Sequence, residues 1–215
     1  MKTALVIGAT GLIGGHLVEL LGKDERYNEV VILSRRKIQY LNPKKIVQVI
    51  DYDHPDASVI KGDHVFCAIG TTIKKAGSKE NQYKIDCEYP ARFAQIAKQN
   101  GAQKFILVSS LGADPKASNF YMRTKGDLEE KLKSVNFDSL VILRPSILLG
   151  QRREFRLGER IGIFMMQLLR PLLIGSFKKY RGVAASAVAQ RMLQAAVSDT
   201  EKLEVISSEA ITTAL

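Results

Sequence analysis

Three side chains in this sequence could together transfer a proton to a carbonyl oxygen. Tyr121 and Lys125 stand four residues apart in a stretch with helical periodicity, so they would share one face of that helix. A phenol ordinarily ionises near pH 10, and a neighbouring ammonium favours the phenolate, which suits such a pair to acid–base chemistry near neutral pH. Ser110 follows an apolar run and could hydrogen-bond the same oxygen. We predict that these three residues are catalytic.

The four-residue spacing is not specific by itself, because Tyr40 and Lys44 repeat it elsewhere in the chain. Pro43 lies between those two residues and disfavours a regular helix there. The pair at 121 and 125 gains weight because a predicted strand that ends in two serines precedes it. A plain amphipathic helix face without catalytic role is the alternative.

A glycine-rich turn near the start of the chain could bind the hydride donor that such chemistry needs. The run 3–7 predicts a buried strand, and the run 12–21 has the spacing of an amphipathic helix. A strand, a glycine turn and a helix in this order are the context in which the motif binds a dinucleotide. The N-terminus of the helix then favours the negative charge of the pyrophosphate. A structural turn without ligand is the alternative. The predicted cofactor contacts here are Gly8, Thr10, Gly11, Leu12, Ile13 and Gly14.

Two arginines follow the second predicted strand, where NAD-binding folds usually place an acidic residue on the ribose hydroxyls. The position 20 residues beyond Gly14 is Ser34, and Arg35 and Arg36 come directly after it. A carboxylate there would repel a 2′-phosphate, whereas two guanidiniums could bind one through bidentate hydrogen bonds. We therefore predict that Ser34, Arg35 and Arg36 contact the cofactor and favour NADP(H) over NAD(H). An exposed basic turn is the alternative.

Further cofactor contacts are predicted where later strands end, because open parallel sheets bind ligands at the carboxyl ends of their strands. A turn of small residues follows the fourth predicted strand, and an Arg-Pro pair follows the sixth. Asp51 follows the third strand, and its carboxylate could accept from an adenine amino group or could equally cap the next turn. The predicted contacts of this group are Asp51, Ala68, Gly70, Thr71, Arg144 and Pro145.

Alternation of apolar runs with amphipathic stretches predicts an α/β fold, a Rossmann-like doubly wound parallel sheet flanked by helices. The predicted strands are 3–7, 29–33, 45–50, 64–69, 104–108 and 138–143, with 203–206 as a candidate last strand. The predicted helices are 12–21, 81–99, 120–133 and 184–197, and Pro90 could kink the second of them. We expect a single NAD(P)-binding domain over 1–215, in which 145–183 covers the substrate side.

The chain has 215 residues and a net charge of +10, and the segment 145–191 carries most of the basic excess. Such a segment attracts an anionic substrate, partner or lipid surface, or is a solvated basic face. The apolar stretch 161–174 within it could contact a membrane surface, although a pocket lining or a homodimer contact is the commoner role of such a helix. Binding to nucleic acid would rest on charge alone, so we do not expect it.

Cysteine, histidine and hydropathy patterns predict an intracellular protein without a metal. The three histidines are scattered and the two cysteines lack metal-ligand spacing, which indicates a reducing compartment and no metal site. The longest apolar runs are shorter than the roughly 18 residues that a spanning helix needs. The first strand breaks at Gly8, unlike a secretory signal. We therefore expect a cytoplasmic location.

These motifs together resemble the short-chain dehydrogenase/reductase superfamily. Two further stretches, 109–113 and 143–150, are similar to its small atypical members, the group of the Tat-interacting oxidoreductase-like protein. The resemblance covers essentially the whole chain and implies a Rossmann fold and NADPH binding. It also implies that Tyr121 is the general acid and base, that Lys125 contacts the nicotinamide ribose and that Ser110 orients the substrate. The motifs that carry it are Gly8-x-x-Gly11-x-x-Gly14, Ser110, Tyr121-x-x-x-Lys125 and Arg144-Pro145.

Two functions are compatible with these features. The first is an NADPH-dependent oxidoreductase that transfers a hydride to a small-molecule carbonyl compound, or from an alcohol, with Tyr121 as the general acid. The second is an NADP(H)-binding regulator or scaffold with little turnover. Only the first function requires the Tyr121 hydroxyl for turnover, so the two can be distinguished at that residue.

Overall fold

Parallel strands form two sheets in the part of the chain that the structure, a computed structural model, describes: residues 1–150, 182–198 and 202–213. The strands are β1 (Lys2–Ile7), β2 (Tyr27–Ser34), β3 (Lys45–Val49), β4 (His64–Cys67), β5 (Lys104–Val108), β6 (Ser139–Arg144), β7 (Leu148–Leu149), β8 (Val183–Ala184) and β9 (Leu203–Ser207). The main sheet has the order β3-β2-β1-β4-β5-β6-β9, and β7 pairs with β8 separately. The strand order reverses direction at β1, so the sheet is doubly wound as predicted.

Helices connect the strands and cover both faces of the main sheet. They are α1 (Leu12–Lys23), α2 (Ile73–Ala76), α3 (Lys79–Tyr83), α4 (Tyr89–Gln99), α5 (Phe120–Val135), α6 (Ala185–Val197) and α7 (Ser208–Thr213). None of these helices is both long enough and apolar enough to cross a membrane. A 3₁₀ turn covers Ala57–Val59, and a π-helical turn covers Lys84–Glu88.

The core lies in two layers, one on each face of the sheet. Alternate residues of a strand point to opposite faces, so Ala4 and Val6 of β1 belong to one layer and Leu5 and Ile7 to the other. Helices α1 and α6 cover the first layer, and α4 and α5 cover the second. Because both faces are buried, the central strands are continuous apolar runs, which is why the sequence predicts them well.

The long helix predicted over 81–99 is one continuous helical stretch, in which the π-helical turn interrupts the α-helical hydrogen bonding between α3 and α4, just before Pro90. Pro90 gives the physical reason. Its ring has no N–H to donate and collides with the carbonyl four residues earlier, so regular α-helical hydrogen bonding cannot pass through this point. The proline lies in the first turn of α4, where the missing donor costs little.

The segment 145–183, predicted to cover the substrate side, falls mostly outside the described residues, as does the apolar stretch 161–174. Its two ends are described. Leu148 and Leu149 of β7 pair with Val183 and Ala184 of β8, so the segment leaves and returns at one place beside the main sheet. The role of the segment stays a prediction.

An ion pair with a buried carboxylate ties α5 to the strands β5 and β6. Glu129 of α5 is only 1% exposed, and its carboxylate accepts hydrogen bonds from the Ser109 hydroxyl and from the Arg144 guanidinium, the latter through Nε at 3.0 Å. Ser109 directly follows β5 and Arg144 ends β6, so one carboxylate fixes the helix to two strand ends. The negative charge also raises the pKa of Arg144 through these hydrogen bonds.

Replacing Glu129 by Gln should lower the free energy of unfolding by about 2 kcal/mol, because the half-buried Arg144 guanidinium and the buried Ser109 hydroxyl lose their charged acceptor. Urea unfolding followed by circular dichroism measures the loss. The matched control is Glu130→Gln at the next position, where an exposed carboxylate pairs with Lys133 at 2.7 Å. That control should cost about 0.5 kcal/mol or less. Equal losses in the two variants would contradict a stabilising role for the buried pair.

Candidate active site

The glycine turn between β1 and α1 brings three backbone segments into direct contact. Gly8 has a φ of +94°, and a Cβ at this position would lie 2.7 Å from the Ala68 carbonyl carbon at the end of β4. A Cβ on Gly14 would lie 2.1 Å from the Gly8 carbonyl oxygen. Only glycine fits at both positions, so the start of α1 lies directly over the end of β1.

The start of α1 is open to an anion. Gly11 occupies the N-cap position with no side-chain hydrogen bond to the helix, and the first turn contains no acidic residue. Thr10 and Gly11 are exposed, whereas the Ile13 side chain is buried in the core and offers only its backbone. Free amides and the positive end of the helix dipole favour a pyrophosphate here. The turn therefore fits the dinucleotide that the motif predicts.

The predicted 2′-phosphate contacts form a tight turn after β2. The buried Ser34 hydroxyl donates to the Arg36 carbonyl at 2.7 Å and accepts from the Arg36 N–H at 3.2 Å, so it shapes the turn. Arg35 and Arg36 are exposed, and the Arg35 guanidinium lies 5.7 Å from the centroid of the Tyr52 ring. Within the described ranges neither guanidinium pairs with a carboxylate. Both are available to an anionic ligand.

Asp51 belongs to a turn of its own. Its carboxylate accepts from the Asp53 N–H at 2.8 Å and lies 3.3 Å from Nδ1 of His54. The backbone hydrogen bond from Asp53 and the contact with His54 lower the pKa of this carboxyl. This geometry favours the turn-capping alternative, and contact with adenine stays a prediction.

Tyr121 and Lys125 share one face of α5, as their spacing predicts. Lys125 is 2% exposed, and its ammonium donates to the Ile69 carbonyl at 3.4 Å and lies 6.0 Å from the centroid of the Tyr121 ring. Tyr121 is 37% exposed, so its ring is accessible from solvent. Burial acts to lower the pKa of Lys125, but the neighbouring groups, first of them Tyr121 and then Asp86, outweigh it and the pKa is raised. The lysine is thus held as an ammonium beneath the tyrosine.

The remaining predicted residues lie along the same carboxyl edge of the sheet. Ser110 is half-buried after β5, with its hydroxyl 3.4 Å from the Leu111 carbonyl. The Leu111 N–H donates to the Pro145 carbonyl at 2.9 Å, which joins the ends of β5 and β6. Pro145 is itself buried, and the Arg144 guanidinium pairs with Glu129. Direct contact of Arg144 with a cofactor stays a prediction, because the structure gives this residue a structural partner.

A turn after β4 carries Gly70 and Thr71, both predicted as cofactor contacts. The Thr71 N–H donates to Oδ1 of Asp86 at 2.7 Å, and the Gln82 amide donates to the Thr71 carbonyl at 3.4 Å. Gly70 is exposed between these fixed points. Asp86 is fully buried beside the turn. Sequence analysis does not assign Asp86 to the site, because one polar position in an amphipathic stretch normally faces solvent.

Elsewhere in the described chain we find no second cluster of side chains that would form an active site or a metal site. A cavity of about 390 Å³ opens at the amino edge of the sheet, where Thr3, Glu29 and Asp63 contribute to its lining. Ligands of parallel sheets bind at the opposite edge, so we do not assign this cavity. Among the described residues, no three His, Cys, Asp or Glu side chains are grouped to hold a metal ion.

Gly14→Ala should weaken binding of NADPH and of NADH alike, by about tenfold or more, because the added methyl forces α1 away from the turn. Isothermal titration of the folded variant measures both affinities. Gly15→Ala is the matched control, since its methyl would have only an ordinary contact, 3.8 Å from the Ala9 carbonyl. Wild-type affinity in Gly14→Ala would contradict binding at this turn.

Comparison with known proteins places the chain in a family. A family model described as NAD(P)H-binding matches residues 8–160. The "Protein FMP52, mitochondrial" of Eremothecium gossypii is 35% identical over 97% of this chain and 95% of its own length. The "Protein HTATIP2" of Rattus norvegicus is 32% identical over 98% of this chain and 88% of its own length. These relatives confirm the resemblance seen in the sequence.

The expected cytoplasmic location is wrong on this comparison. Relatives in Candida glabrata, Eremothecium gossypii and Saccharomyces cerevisiae are all named "Protein FMP52, mitochondrial". Cysteine usage separates oxidising from reducing compartments but does not distinguish one reducing compartment from another. The sequence argument therefore could not decide the location.

Solved structures confirm the fold. MoeE5 in complex with UDP-glucuronic acid and NAD aligns with a TM-score of 0.73 at 18% identity, over 98% of this chain and 80% of that one. UDP-glucuronic acid 4-epimerase from Bacillus cereus in complex with NAD aligns with a TM-score of 0.71 at 18% identity, over 96% and 78%. The family match, the relatives and the fold agree. The chain belongs to the NAD(P)H-binding family and is an NAD(P)-binding, oxidoreductase-like protein with a Rossmann-like fold.

Proposed function

We propose that the protein is an NADPH-dependent oxidoreductase of the short-chain dehydrogenase type that reduces a small-molecule carbonyl compound. One observation carries this proposal: a buried lysine lies beneath an exposed tyrosine, at the edge of the sheet that also holds the glycine turn. Lys125 and Tyr121 are 2% and 37% exposed. An accessible phenol with a buried ammonium beside it is suited to general acid catalysis at a carbonyl, because the substrate can reach the hydroxyl and the ammonium can stabilise the phenolate.

The residues of the carboxyl edge would hold the cofactor along its length. The amides at the start of α1 would bind the pyrophosphate, and the turn after β4 would face the nicotinamide half. A bound nicotinamide supplies the hydride. Gly70 offers no side chain at the centre of that turn, and its neighbour Thr71 is held by Asp86, so the turn presents a fixed backbone surface.

Tyr121 would donate its hydroxyl proton to the carbonyl oxygen of the substrate as that oxygen gains negative charge. The Lys125 ammonium favours the phenolate that remains, because an opposite charge nearby stabilises the ionised form. The Ser110 hydroxyl would donate to the same oxygen and orient the substrate. In the reverse direction the phenolate would accept the proton of an alcohol.

Preference for NADPH is supported by the turn after β2. Its two exposed guanidiniums follow the position where an acidic residue would otherwise exclude a 2′-phosphate, and the Ser34 hydroxyl fixes the backbone of Arg36. The solved structures named above carry NAD, which describes those proteins and not this one. The preference therefore rests on Arg35 and Arg36.

Tyr121→Phe should lower turnover by about 100-fold or more while NADPH affinity changes little, because only the proton donor is removed. Oxidation of NADPH over a panel of aldehydes, ketones and quinones measures turnover. Tyr40→Phe is the control, since that tyrosine belongs to the other Tyr-x-x-x-Lys match, which the structure shows to be non-helical. Surviving turnover in Tyr121→Phe would refute the assignment. A wild-type protein that binds NADPH but reduces no member of the panel would favour the regulator.

Replacing both arginines, Arg35→Ala with Arg36→Ala, should raise the Kd for NADPH by about 30-fold or more and leave the Kd for NADH nearly unchanged. The reason is that only NADPH carries the 2′-phosphate. Titration calorimetry with each cofactor measures the two affinities. Lys37→Ala, an exposed lysine in the same turn, is the control and should change either Kd less than about threefold. Equal losses for both cofactors would contradict recognition of the 2′-phosphate.

A further inference from the structure

A fully buried carboxylate lies close to the proposed catalytic lysine. Asp86, on the π-helical turn Lys84–Glu88, is 0% exposed. Its Oδ1 accepts the Thr71 N–H at 2.7 Å, and within the described ranges its Oδ2 has no hydrogen-bond partner of good geometry. The nearby Gln82 amide acts to lower the pKa of Asp86 but carries no charge. A buried carboxylate is costly unless a positive charge compensates it. The ionised form of Asp86 therefore needs a positively charged neighbour.

Lys125 is the neighbour that can supply this charge. Burial raises the pKa of Asp86, and the Lys125 ammonium opposes that rise. On the lysine, burial acts to lower the pKa, and Tyr121, Asp86 and two thiols act to raise it, so that the net direction is upward. Each group thus favours the charged form of the other. The remaining titratable groups that act on Lys125 are the thiols of Cys67 and Cys87.

Lys125 and Asp86 also contact the same short turn, the one that follows β4, although they lie on two different helical elements. Lys125 of α5 donates to the Ile69 carbonyl, and Asp86 of the π-helical turn accepts from the Thr71 N–H, with only Gly70 between these two residues. The turn follows β4 and carries predicted cofactor contacts. A π-helical turn inside an otherwise α-helical stretch often marks a functional position. Here it places the carboxylate against that turn.

We propose that Asp86 is the counter-charge of Lys125, a positioning residue that keeps the lysine protonated and fixed on the turn after β4. This inference rests on the proposed function for the importance of Lys125. The contacts that carry it do not involve a substrate. A purely structural Asp86 would only cap the Thr71 N–H, and the two roles respond differently to removal of the charge.

Asp86→Asn separates these roles, because the amide keeps an acceptor for Thr71 and loses the negative charge. In protein labelled with ¹³C-lysine and free of cofactor, the Cε resonance of Lys125 reports its ionisation. We expect the ionisation constant of Lys125 to rise by about tenfold or more in Asp86→Asn, so the pKa of Lys125 falls by about one unit. Because Tyr121, Cys67 and Cys87 are unchanged, they cannot cause the difference. An unchanged titration of Lys125 would overturn the proposal.

A double-mutant cycle tests the same pairing through stability. Lys125→Met leaves the buried carboxylate without a counter-charge and should lower the midpoint of urea unfolding, and adding Asp86→Asn should restore part of that loss. Lys131→Met on the exposed side of α5 is the control, where Asp86→Asn should restore nothing. A double variant no more stable than Lys125→Met would overturn the pairing. If Lys125→Met does not fold, the NMR titration in Asp86→Asn decides alone.

Neither measurement uses turnover, so the two proposals can fail separately. Loss of coupling between Asp86 and Lys125 would refute the counter-charge and leave a Tyr121-dependent reductase intact. Activity that survives Tyr121→Phe would refute the proposed function and leave the measured coupling intact.

Discussion

The contact between Gly14 and the Gly8 carbonyl is the constraint on which the rest of the site depends. A Cβ on Gly14 would lie 2.1 Å from that oxygen, so the first turn of α1 lies directly over the end of β1. Strand β1 occupies the point where the order of the sheet reverses, which is where doubly wound folds bind their ligands. This one close approach places the positive end of a helix at the crevice. The turns after β2, β4, β5 and β6 then surround the same crevice.

Helix α5 connects this crevice to the interior through a single polar face. Tyr121, Lys125 and Glu129 follow one another at four-residue intervals and are 37%, 2% and 1% exposed. The face therefore runs from an open phenol, through a buried ammonium, to a carboxylate paired with Arg144. Buried charges of this kind cost free energy unless they are paired, so the structure supplies partners from neighbouring strands and turns. The pairing also fixes α5 on the sheet, and with it the position of the phenol.

Much of the fold could be predicted from the sequence, because buried parallel strands are continuous apolar runs and the glycine turn has a fixed context. The strand Lys104–Val108 was predicted with its observed bounds, and the Tyr121–Lys125 face was predicted from the four-residue spacing together with the helical periodicity around it. Pro90 indicates an irregularity in the helix over 81–99, but the π-helical turn before it was not predicted, since its form depends on how the chain packs there. The partners of Asp86 and Glu129 were not predicted either. Their partners lie far away along the chain, and a polar residue in an amphipathic helix gives no sign that it is buried.

Thermal unfolding of the wild-type protein with saturating NADPH, and separately with NADH, tests the central claim most directly. A ligand that binds only the folded state adds about 2.7 kcal/mol of stability at 100 times its Kd. The account predicts a clear rise in Tm with NADPH and a smaller rise with NADH at the same concentration. An unchanged Tm with both cofactors would contradict cofactor binding at the glycine turn. Equal rises would leave that turn as a dinucleotide site and contradict recognition of the 2′-phosphate by Arg35 and Arg36.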